Sequence, residues 1–564
     1  MVLVGGGLST CSSMTPSSCA GDPSFDAAAL HQLSYRWSLE AQQRIATWSG
    51  WSDRRASVKQ QLLQGLAQLP KTPQASVLTK AELLRLLGDE LVAQLSDAEF
   101  NLLLDQLEQP AWISPDQPGA GRQREQVRLT DSKDKFSVEI YRKIVEQAAK
   151  ISKRPGKPKL LVLTASSRDP FAAVDFYLEL FRQAGAEVEW LPLNAAWQQA
   201  QQSATNDKNG CQQLDQYLAE LHQSYRRSAV YPDLYQQFQQ FCMAGSAAAL
   251  DNIRGADALF FNGGNQSLTL AAFLKENGET SAELALIRQQ VEQGRLIVAG
   301  TSAGTAVMAG GTWQGQPVPM ISNGSSRAAL QFGAVAAAAP DEGCDIDQSC
   351  PAGLSSEHLT YRPAGGLGLF RYGVLDTHFS ERGRQGRLMQ LLQSSGSQYG
   401  FGVDEATALL VGWPQGQPEQ VRMRVTGAAG VYVLAQKQDN TEGEPLVMTS
   451  HYLSRDDELQ LNKGQLRIKF ADWKQARPVA KQRAATTELQ RLDWLQHDQY
   501  RQLAGQFCQT GQPELQAQEP KTGYLLSLKL QSQSQLAFGQ YQRNSQSTGY
   551  CSYQAVQVRI SQQR

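Results

Sequence analysis

Residues 297–308 read Ile297-Val-Ala-Gly-Thr-Ser-Ala-Gly-Thr-Ala-Val-Met308, which predicts a strand, a tight turn and a helix in succession. An apolar strand ends at Gly300-Thr-Ser-Ala-Gly304 and passes directly into small residues that suit a helix. A G-x-S-x-G pattern between a strand and a helix is typical of a nucleophile elbow. Because glycine has no Cβ, the backbone can make a strained turn that exposes the Ser302 hydroxyl. The first amides of the helix then face the oxygen of the group that Ser302 attacks.

A second candidate segment, Val374-Leu-Asp-Thr-His-Phe-Ser-Glu-Arg-Gly-Arg-Gln-Gly-Arg387, follows downstream. Its apolar start predicts the end of a buried strand, so Asp376 and His378 fall at a carboxyl strand end, where open α/β sheets bind ligands. A histidine with a pKa near neutrality is suited to take the proton of a serine hydroxyl. The next helix opens with three arginines, Arg382, Arg384 and Arg387. Because a helix N-terminus is already positive, cations there indicate an anionic ligand such as a carboxylate.

Four segments occur in a fixed order along the chain. They are Phe260-Phe-Asn-Gly-Gly-Asn-Gln266, Gly300-Thr-Ser-Ala-Gly304, Asp376-Thr-His-Phe379 with its arginine tail, and Gly402-Val-Asp-Glu-Ala-Thr-Ala408. In this order they resemble the cyanophycinase and dipeptidase E family of serine peptidases, and the arginine tail is closer to the cyanophycinase branch. The resemblance covers residues 158–412, with weaker matches at 161–167 and at the opening Val2-Leu-Val-Gly-Gly-Gly7.

The resemblance implies a role for each matching residue. Ser302 would be the nucleophile and His378 the base. The oxyanion hole would be formed by the amides of Gly264, Asn265 and Ala303. The substrate pocket would be lined by Gln266, Asp376, Arg382, Arg384 and Arg387. This family hydrolyses β-aspartyl-arginine linkages, in which a free α-carboxylate lies beside the scissile bond, so the arginine cluster would complement that carboxylate.

The chain departs from the family pattern at two positions and in the length of one segment. Asn265 stands where cyanophycinases usually carry Asp, and Thr377 stands where they usually carry Gln. The segment between Ser302 and His378 is longer than in the family, in which it contains the triad acid. Glu357 has the matching spacing from the histidine, and the alternatives are Glu342, Asp345 and Asp347. Glu405 and its neighbour Asp404 follow a short strand, where we expect structural support, with Glu405 also a candidate for the substrate pocket.

Length and composition set limits on the class of protein. A chain of 564 residues is too long for one compact domain. With 41% hydrophobic and 19% charged residues the composition is that of a globular protein. A net charge of −1 gives no reason to expect nucleic acid or an anionic membrane as a partner. No apolar run approaches the ~20 residues that span a bilayer.

Cysteine usage indicates an oxidising compartment. The eight cysteines fall into local pairs, which are Cys11 with Cys19, Cys344 with Cys350, and as further candidates Cys211 with Cys242 and Cys508 with Cys551. They show no zinc-ligand spacing, so we expect no metal site. Loop cysteines flanked by Ser, Gly, Pro and Asp favour an exported, disulfide-bonded protein, although the sequence does not fix the pairing. Residues 1–4 are too short for a signal peptide, so we expect a processed periplasmic or extracellular form.

Changes of pattern divide the chain into four parts. These are a first strand with a Cys-containing loop (1–23), a helical insertion (24–157), a catalytic α/β domain (158–413) and a mostly β domain (414–564). Within the insertion the apolar spacing predicts helices over 27–51, 58–69, 79–107 and 136–149. Strand-helix alternation from residue 159 predicts a doubly wound, mostly parallel sheet that presents Gly263, Ser302 and His378 at one edge. The last part predicts short strands and one helix over 484–504.

We therefore expect an exported serine peptidase resembling cyanophycinase, which works through an acyl-enzyme without a metal or organic cofactor. The expected substrates are peptides with a carboxylate near the scissile bond, the leading case being β-aspartyl-arginine polymer (cyanophycin). One alternative is an inactive peptide- or polymer-binding protein on the same fold. Another is an α/β-hydrolase esterase, in which His451 or His497 would be the base. Glutamine amidotransferases have a related shape but require a cysteine where this chain has Ser302. A homodimer remains open.

Overall fold

Two large β-sheets organise the chain in the computed structural model, which describes residues 1–23, 25, 33–70, 77–113, 121–203, 210–436, 445–478, 489–543 and 546–562. The first sheet has the strand order Gln465–Lys469, Glu458–Asn462, Gln420–Gly427, Thr407–Gly412, Val2–Val4, Ile297–Thr301, Ala258–Phe261, Lys159–Leu163 and Glu187–Trp190. The strands from Val2–Val4 to Glu187–Trp190 are parallel, and those before them in this order are antiparallel. The predicted α/β fold with a parallel sheet is confirmed.

Helices cover both faces of the parallel strands, because alternate side chains of a strand point to opposite faces. Val2 and Val4 join one apolar core, whereas Leu3 joins the other. The helices of the first core are Lys135–Ile151 and Val174–Ala184. The opposite face carries Ala195–Ser203, Leu214–His222, Arg227–Val230, Pro232–Arg254, Gln266–Phe273 and Ala282–Glu292. Such a sheet is doubly wound, and its central strands Val2–Val4 and Ala258–Phe261 are buried along their whole length.

The second sheet contains the strand that leads to His378. Its order is Val374–Thr377, Tyr399–Val403, Gly430–Ala435, Leu446–Ser454, Gln546–Gln562, Tyr524–Arg543, Glu514–Gln518 and Leu489–Arg491, and Gln475–Arg477 also pairs with Tyr524–Arg543. Val374–Thr377 is parallel to Tyr399–Val403 and is joined to it through the helix Gln385–Ser395. His378 therefore follows a strand of a different sheet from Ser302. Its backbone N–H nevertheless reaches Gly5, at the end of the first strand, with a hydrogen bond of 2.8 Å to the carbonyl oxygen.

The expected boundary between residues 413 and 414 does not separate two domains. Gln420–Gly427 pairs with Thr407–Gly412 in the first sheet, and Gly430–Ala435 pairs with Tyr399–Val403 in the second. The open edges of the α/β part are thus covered by strands from the last part of the chain, which satisfies their backbone hydrogen bonds. The change of sequence pattern near Pro414 reflects antiparallel strand pairing and not a domain boundary.

The helical insertion differs from its predicted extent. Residues 33–109 form a core of their own, around Tyr35, Leu62 and Leu103. Its helices are Leu39–Ala46, Ala56–Ala67, Lys80–Leu87, Asp89–Val92 and Asp97–Leu107. Part of the predicted helix 27–51 is a strand, Ser34–Arg36, and residues 26–32 lie outside the described residues. The helix Lys135–Ile151 was assigned to the insertion, but its apolar face packs on the first sheet.

Apart from the helix Gln499–Thr510, the remaining elements are short. The short helices are Ala303–Ala306, Ser326–Phe332 and Cys344–Asp347. The small strands are Val77–Leu78, Glu108–Gln109, Thr312–Trp313, Gln316–Pro317, Met320–Asn323, Ala334–Ala336 and Leu359–Arg362. The predicted helix 484–504 begins later, after Asp498, and residues 479–488 lie outside the described residues.

Disulfide bonds join all eight cysteines, and the partners are the local pairs noted in the sequence. Cys11–Cys19 and Cys344–Cys350 close small loops, while Cys211–Cys242 and Cys508–Cys551 tie helices to neighbouring segments. Cys344, Asp345 and Cys350 also group three potential metal-ligand atoms, but both sulfurs are used in the disulfide. Among the described residues, no helix is long and apolar enough to cross a membrane.

Candidate active site

Ser302 occupies the strained turn that the G-x-S-x-G pattern predicts. Its φ of 54° and ψ of −120° lie outside the regions that non-glycine residues normally adopt, and the helix Ala303–Ala306 follows at once. The turn is held from below by Thr305, whose hydroxyl accepts from the N–H of Val4 at 3.0 Å and lies 2.7 Å from the carbonyl oxygen of Gly300. The surrounding contacts therefore maintain a backbone conformation that points the serine side chain away from the sheet.

A chain of hydrogen bonds links Ser302, His378 and Glu405. The Ser302 hydroxyl lies 2.7 Å from Nε2 of His378, and Nδ1 of the same ring lies 2.5 Å from Oε1 of Glu405. With its proton on Nδ1, the imidazole donates to Glu405 and accepts from Ser302. This is the arrangement in which a histidine can remove the proton of a serine hydroxyl.

The carboxylate beside His378 belongs to Glu405, which corrects both the expectation of Glu357 as the acid and the assignment of Glu405 to the substrate pocket. Tyr399–Val403 pairs with Val374–Thr377 in parallel, so the residues that follow both strands meet at one sheet edge. Glu357 instead lies exposed in a loop, where its main-chain oxygen accepts from the N–H of Ser325. Of the alternatives, Asp345 bonds to Ser356. The sequence signal for Glu405 was its position after a strand in the segment Gly402-Val-Asp-Glu-Ala-Thr-Ala408.

The glycines Gly6 and Gly7, near the start of the chain, pack against the side chains of His378 and Glu405. Gly6 has a φ of 108°, and a Cβ at this position would overlap the ring of His378. A Cβ at Gly7 would overlap the side chain of Glu405. The carbonyl oxygen of Gly6 also accepts from the N–H of Ala406 at 2.9 Å. Glycines are therefore required here by close approach of the triad, which sequence reasoning did not foresee.

Burial sets the protonation of His378. Desolvation lowers the pKa of the imidazole below its usual value, and the positive charges of Arg382 and Arg384 act in the same direction. The hydrogen bond that His378 donates to Glu405 opposes them, but the net direction is downward. The ring is therefore neutral at neutral pH, which is the form that can accept a proton.

Two backbone amides lie free at the elbow. In the described part of the chain, the N–H groups of Ala303 and Gly264 donate to no protein acceptor. The turn that carries Gly264 lies against Ser302, because a Cβ on Gly263 would be 3.2 Å from Cβ of Ser302. Asn265 does not fit its predicted place in an oxyanion hole, since its N–H donates to the carbonyl oxygen of Ser166 at 2.7 Å. Its side chain instead caps the helix Gln266–Phe273.

The three arginines have different surroundings. Arg387 is buried and binds Asp376 through two nitrogens, at 2.5 and 2.8 Å. Arg384 donates to the carbonyl oxygen of Thr377 at 2.6 Å and approaches Asp376 at 3.4 Å. Burial, followed by the charge of Arg387, lowers the pKa of Arg384 to about 9. Arg382 is exposed, and its side chain forms no hydrogen bond or ion pair with the residues that the structure describes.

This arrangement corrects the expected role of Asp376. Its side chain is fully buried, and its carboxylate already accepts from Arg387 and from the N–H of Thr377. It therefore orients the arginines and is not available to a ligand. Gln266 is similarly held, because its side-chain nitrogen donates to the carbonyl oxygens of Ile321 and Ser322. Asp376 pairs with Arg387 and Arg384 but not with Arg382, so this cluster of arginines beside Ser302 keeps a net positive charge.

A cleft of about 770 Å³ brings these groups together. Ser302, His378 and the three arginines line it. Asp97 of the helical insertion and residues of the loop 338–357 also line the cleft. The cleft is large enough for several residues of an extended ligand.

Two other histidines were candidates for the base in an esterase. His451 is buried on a central strand, its Nδ1 accepts from the N–H of Ala555 at 3.1 Å, and burial lowers its pKa to about 4. Nδ1 of His497 contacts the carbonyl oxygen of Glu381. The imidazole at Ser302 is that of His378, so the esterase arrangement has no support in this geometry.

Comparison with known proteins shows a partial sequence similarity to cyanophycinases. No family model matches the chain. It is 29% identical over 167 residues to cyanophycinases from Trichormus variabilis and Nostoc sp., which is 29% of this chain and 43% of each relative. A cyanophycinase from Geminocystis herdmanii is 30% identical over 150 residues, or 27% and 41% of the two chains. The match thus spans about two fifths of the length of these curated relatives.

Solved structures with some similarity are also described as peptidases. A peptidase from an acI-B1 Actinobacterium has a TM-score of 0.29 and 16% identity, covering 58% of this chain and 89% of its own. A putative peptidase E protein from Listeria monocytogenes has a TM-score of 0.24 and 12% identity, covering 51% and 94%. In sequence, the chain is thus similar to cyanophycinases over less than a third of its own length.

Proposed function

We propose that this protein is a serine peptidase with Ser302 as the nucleophile, His378 as the base and Glu405 as the acid. The observation that carries the proposal is the hydrogen-bonded chain from Ser302 through His378 to Glu405, located at a strained elbow with two free amides. The sequence similarity to cyanophycinases supports the same reaction class.

The reaction follows from the positions of these groups. Oγ of Ser302 attacks the scissile carbonyl carbon while Nε2 of His378 takes its proton, and the amides of Gly264 and Ala303 hold the developing oxyanion. The C–N bond then breaks as the imidazolium returns the proton to the leaving amine. Water attacks the acyl-enzyme with His378 again as the base, which releases the acid product and restores Ser302. Glu405 stabilises the imidazolium and fixes its tautomer.

The positive wall of the cleft defines the proposed substrate class. Arg382 and Arg384 lie on the side of the cleft where a carboxylate close to the scissile bond would be bound. The substrates are therefore peptides with such a carboxylate, and β-aspartyl-arginine polymer is the leading case. We further propose export to the periplasm or the exterior, which the four disulfides favour.

The proposal is tested with two assays on the purified protein. A fluorophosphonate probe should label Ser302, and insoluble cyanophycin should release the dipeptide β-aspartyl-arginine. Labelling without release would keep the peptidase and reject this substrate. A protein that neither reacts with the probe nor releases the dipeptide would be better described as a peptide- or polymer-binding protein on the same fold.

Replacing Arg382 with methionine should weaken the binding of carboxylate substrates specifically. A charge-assisted hydrogen bond contributes about 1.5–3 kcal/mol, so KM should rise about 10- to 100-fold for a substrate with a free α-carboxylate. The same substrate with that carboxylate amidated should show little change. Because Arg382 lowers the pKa of His378, the acid limb of kcat/KM should also move to higher pH. Equal effects on both substrates would contradict this role.

A further inference from the structure

Glu405 is held on its main-chain side by a second carboxylate. Its backbone N–H donates to Oε2 of Glu381 at 3.0 Å, and Oε1 of Glu381 accepts from Nη1 of Arg501 at 2.7 Å. Arg501 lies in the first turn of the helix Gln499–Thr510, and its other terminal nitrogen donates to Asp498 at 2.7 Å. A single path of hydrogen bonds therefore joins the C-terminal helix to the acid of the triad.

Arg501 balances two neighbouring acids. The Glu381 side chain is 7% exposed, and that of Asp404, which lies 3.7 Å from Arg501, is fully buried. Burial and then the charge of Asp404 raise the pKa of Glu381 to about 7, while Arg501 opposes the rise. Without this cation the pKa of Glu381 would rise further, so the neutral carboxyl, a weaker acceptor for the N–H of Glu405, would predominate at neutral pH.

Residues 495–498, which precede this helix, pack against the loop between His378 and Arg384. The N–H of Asp498 donates to the carbonyl oxygen of Ser380 at 2.8 Å. Gly383 lies so close to the backbone of Leu495 that a Cβ would overlap it. These contacts fix the C-terminal helix relative to the loop, so a change at Arg501 is transmitted to Glu381 directly.

Side-chain packing alone does not fix this side of Glu405. A cavity of about 530 Å³ is lined by Glu405, Glu381 and Arg501 together with Tyr452 and Tyr550. Because the Glu405 side chain borders open space there, hydrogen bonds contribute to its position. Its carboxylate accepts from His378, its N–H donates to Glu381, and its carbonyl oxygen accepts from the Thr407 hydroxyl at 3.0 Å.

We infer that Arg501 and Glu381 are positioning residues that hold Glu405 against His378. The helix Gln499–Thr510, which carries Arg501, therefore contributes to catalysis. This inference rests on the proposed function. Neither residue touches the substrate; both act through the acid of the triad. The part of the chain after residue 413 therefore contributes to the rate of the reaction as well as to the sheets.

The first test is the substitution Arg501→Met, with Arg501→Lys as the conservative variant. Misplacing a catalytic group by about 1 Å costs up to roughly 100-fold, so kcat should fall about 10- to 100-fold, while KM should stay within about twofold. Lysine keeps the charge and should restore most of the lost rate. Arg424→Met, which removes an exposed ion pair with Asp456, serves as the matched control and should leave kcat unchanged.

A double-mutant cycle separates positioning from general destabilisation. If Arg501 acts through Glu405, then Arg501→Met should add little to the loss caused by Glu405→Gln. The acid limb of kcat/KM should also move to lower pH, as when Glu405 itself is replaced. Should Arg501→Met fold poorly by thermal melting, Glu381→Gln is expected to give the same signature. The inference would be overturned if the losses of kcat in the two single variants multiplied in the double variant. A change in KM alone, or an Arg501→Lys variant as slow as Arg501→Met, would also overturn it.

Comparison with the wild-type protein distinguishes this inference from the proposed function. If a fluorophosphonate labels the wild type and Arg501→Met has normal turnover, the positioning role is overturned and the serine peptidase stands. Absence of labelling in the wild type would overturn both.

Discussion

The substitution Ser302→Ala is expected to abolish turnover, with kcat falling by about 10⁵-fold or more. The reason is that Oγ of Ser302 forms the bond to the substrate, and the structure offers no second hydroxyl to His378 among its described contacts. KM should change little, since the arginines that line the cleft are retained. The free amides of Gly264 and Ala303 also remain, so a small residual rate above that of water is expected.

This expectation is measured as dipeptide release, with fluorophosphonate labelling on the same preparations. The matched control is Ser349→Ala, which removes an exposed hydroxyl on the rim of the same cleft and should retain activity. Because kcat in the variant is very low, its preparation must be free of wild-type enzyme. A Ser302→Ala protein that keeps about 1% of the wild-type kcat, or that still binds the probe, would exclude Ser302 as the nucleophile.

Features coded by short stretches of sequence could be predicted. The elbow needs only a strand, a glycine-flanked turn and a helix, and residues 297–306 contain all of them. The position of His378 after an apolar strand is equally local. The disulfide partners Cys11 with Cys19 and Cys344 with Cys350 are close in sequence, so few alternatives competed with them.

Features that depend on strand pairing could not be predicted. Glu405 reaches His378 because Tyr399–Val403 pairs with Val374–Thr377, and the sequence does not state which strands are neighbours. The spacing argument for Glu357 assumed that an inserted loop would not displace the acid. The boundary at residue 413 follows from a change of sequence pattern, whereas strands after that residue pair with strands of both sheets. Nonlocal pairing, rather than local propensity, accounts for each of these corrections.

Burial accounts for the other corrections. Asp376, Arg384 and Arg387 belong to one motif, yet only the packing shows that Asp376 and Arg387 bind each other, while Arg382 pairs with none of the described residues. A pattern of residue types cannot reveal which members of a charged cluster neutralise one another. The contribution of Glu381 and Arg501 was equally hidden, because 120 residues separate them.

The paired substitutions Glu405→Gln and Glu357→Gln decide which acid serves the triad. Glutamine at 405 presents an N–H or a neutral oxygen to Nδ1 of His378, so the tautomer that leaves Nε2 free to accept the Ser302 proton is no longer enforced. We expect kcat to fall about 10³- to 10⁴-fold, as when the acid of a serine protease triad becomes an amide. Glu357→Gln should leave kcat unchanged, because that side chain is exposed and forms no hydrogen bond with the residues that the structure describes, its main-chain oxygen alone accepting from Ser325.

The pH profile of the Glu405→Gln variant tests the contact between Glu405 and His378 independently of the rate. His378 must be neutral to act as a base, so activity is lost as the pH falls through its pKa. Glu405 raises that pKa against the effect of burial, and its replacement therefore lowers it. The acid limb of kcat/KM should move to lower pH even though the maximum rate is much reduced. A loss of rate in Glu357→Gln with an unchanged Glu405→Gln would instead require the loop 338–357 to rearrange and bring its acid to the imidazole, and would return the triad to the arrangement that spacing alone predicts.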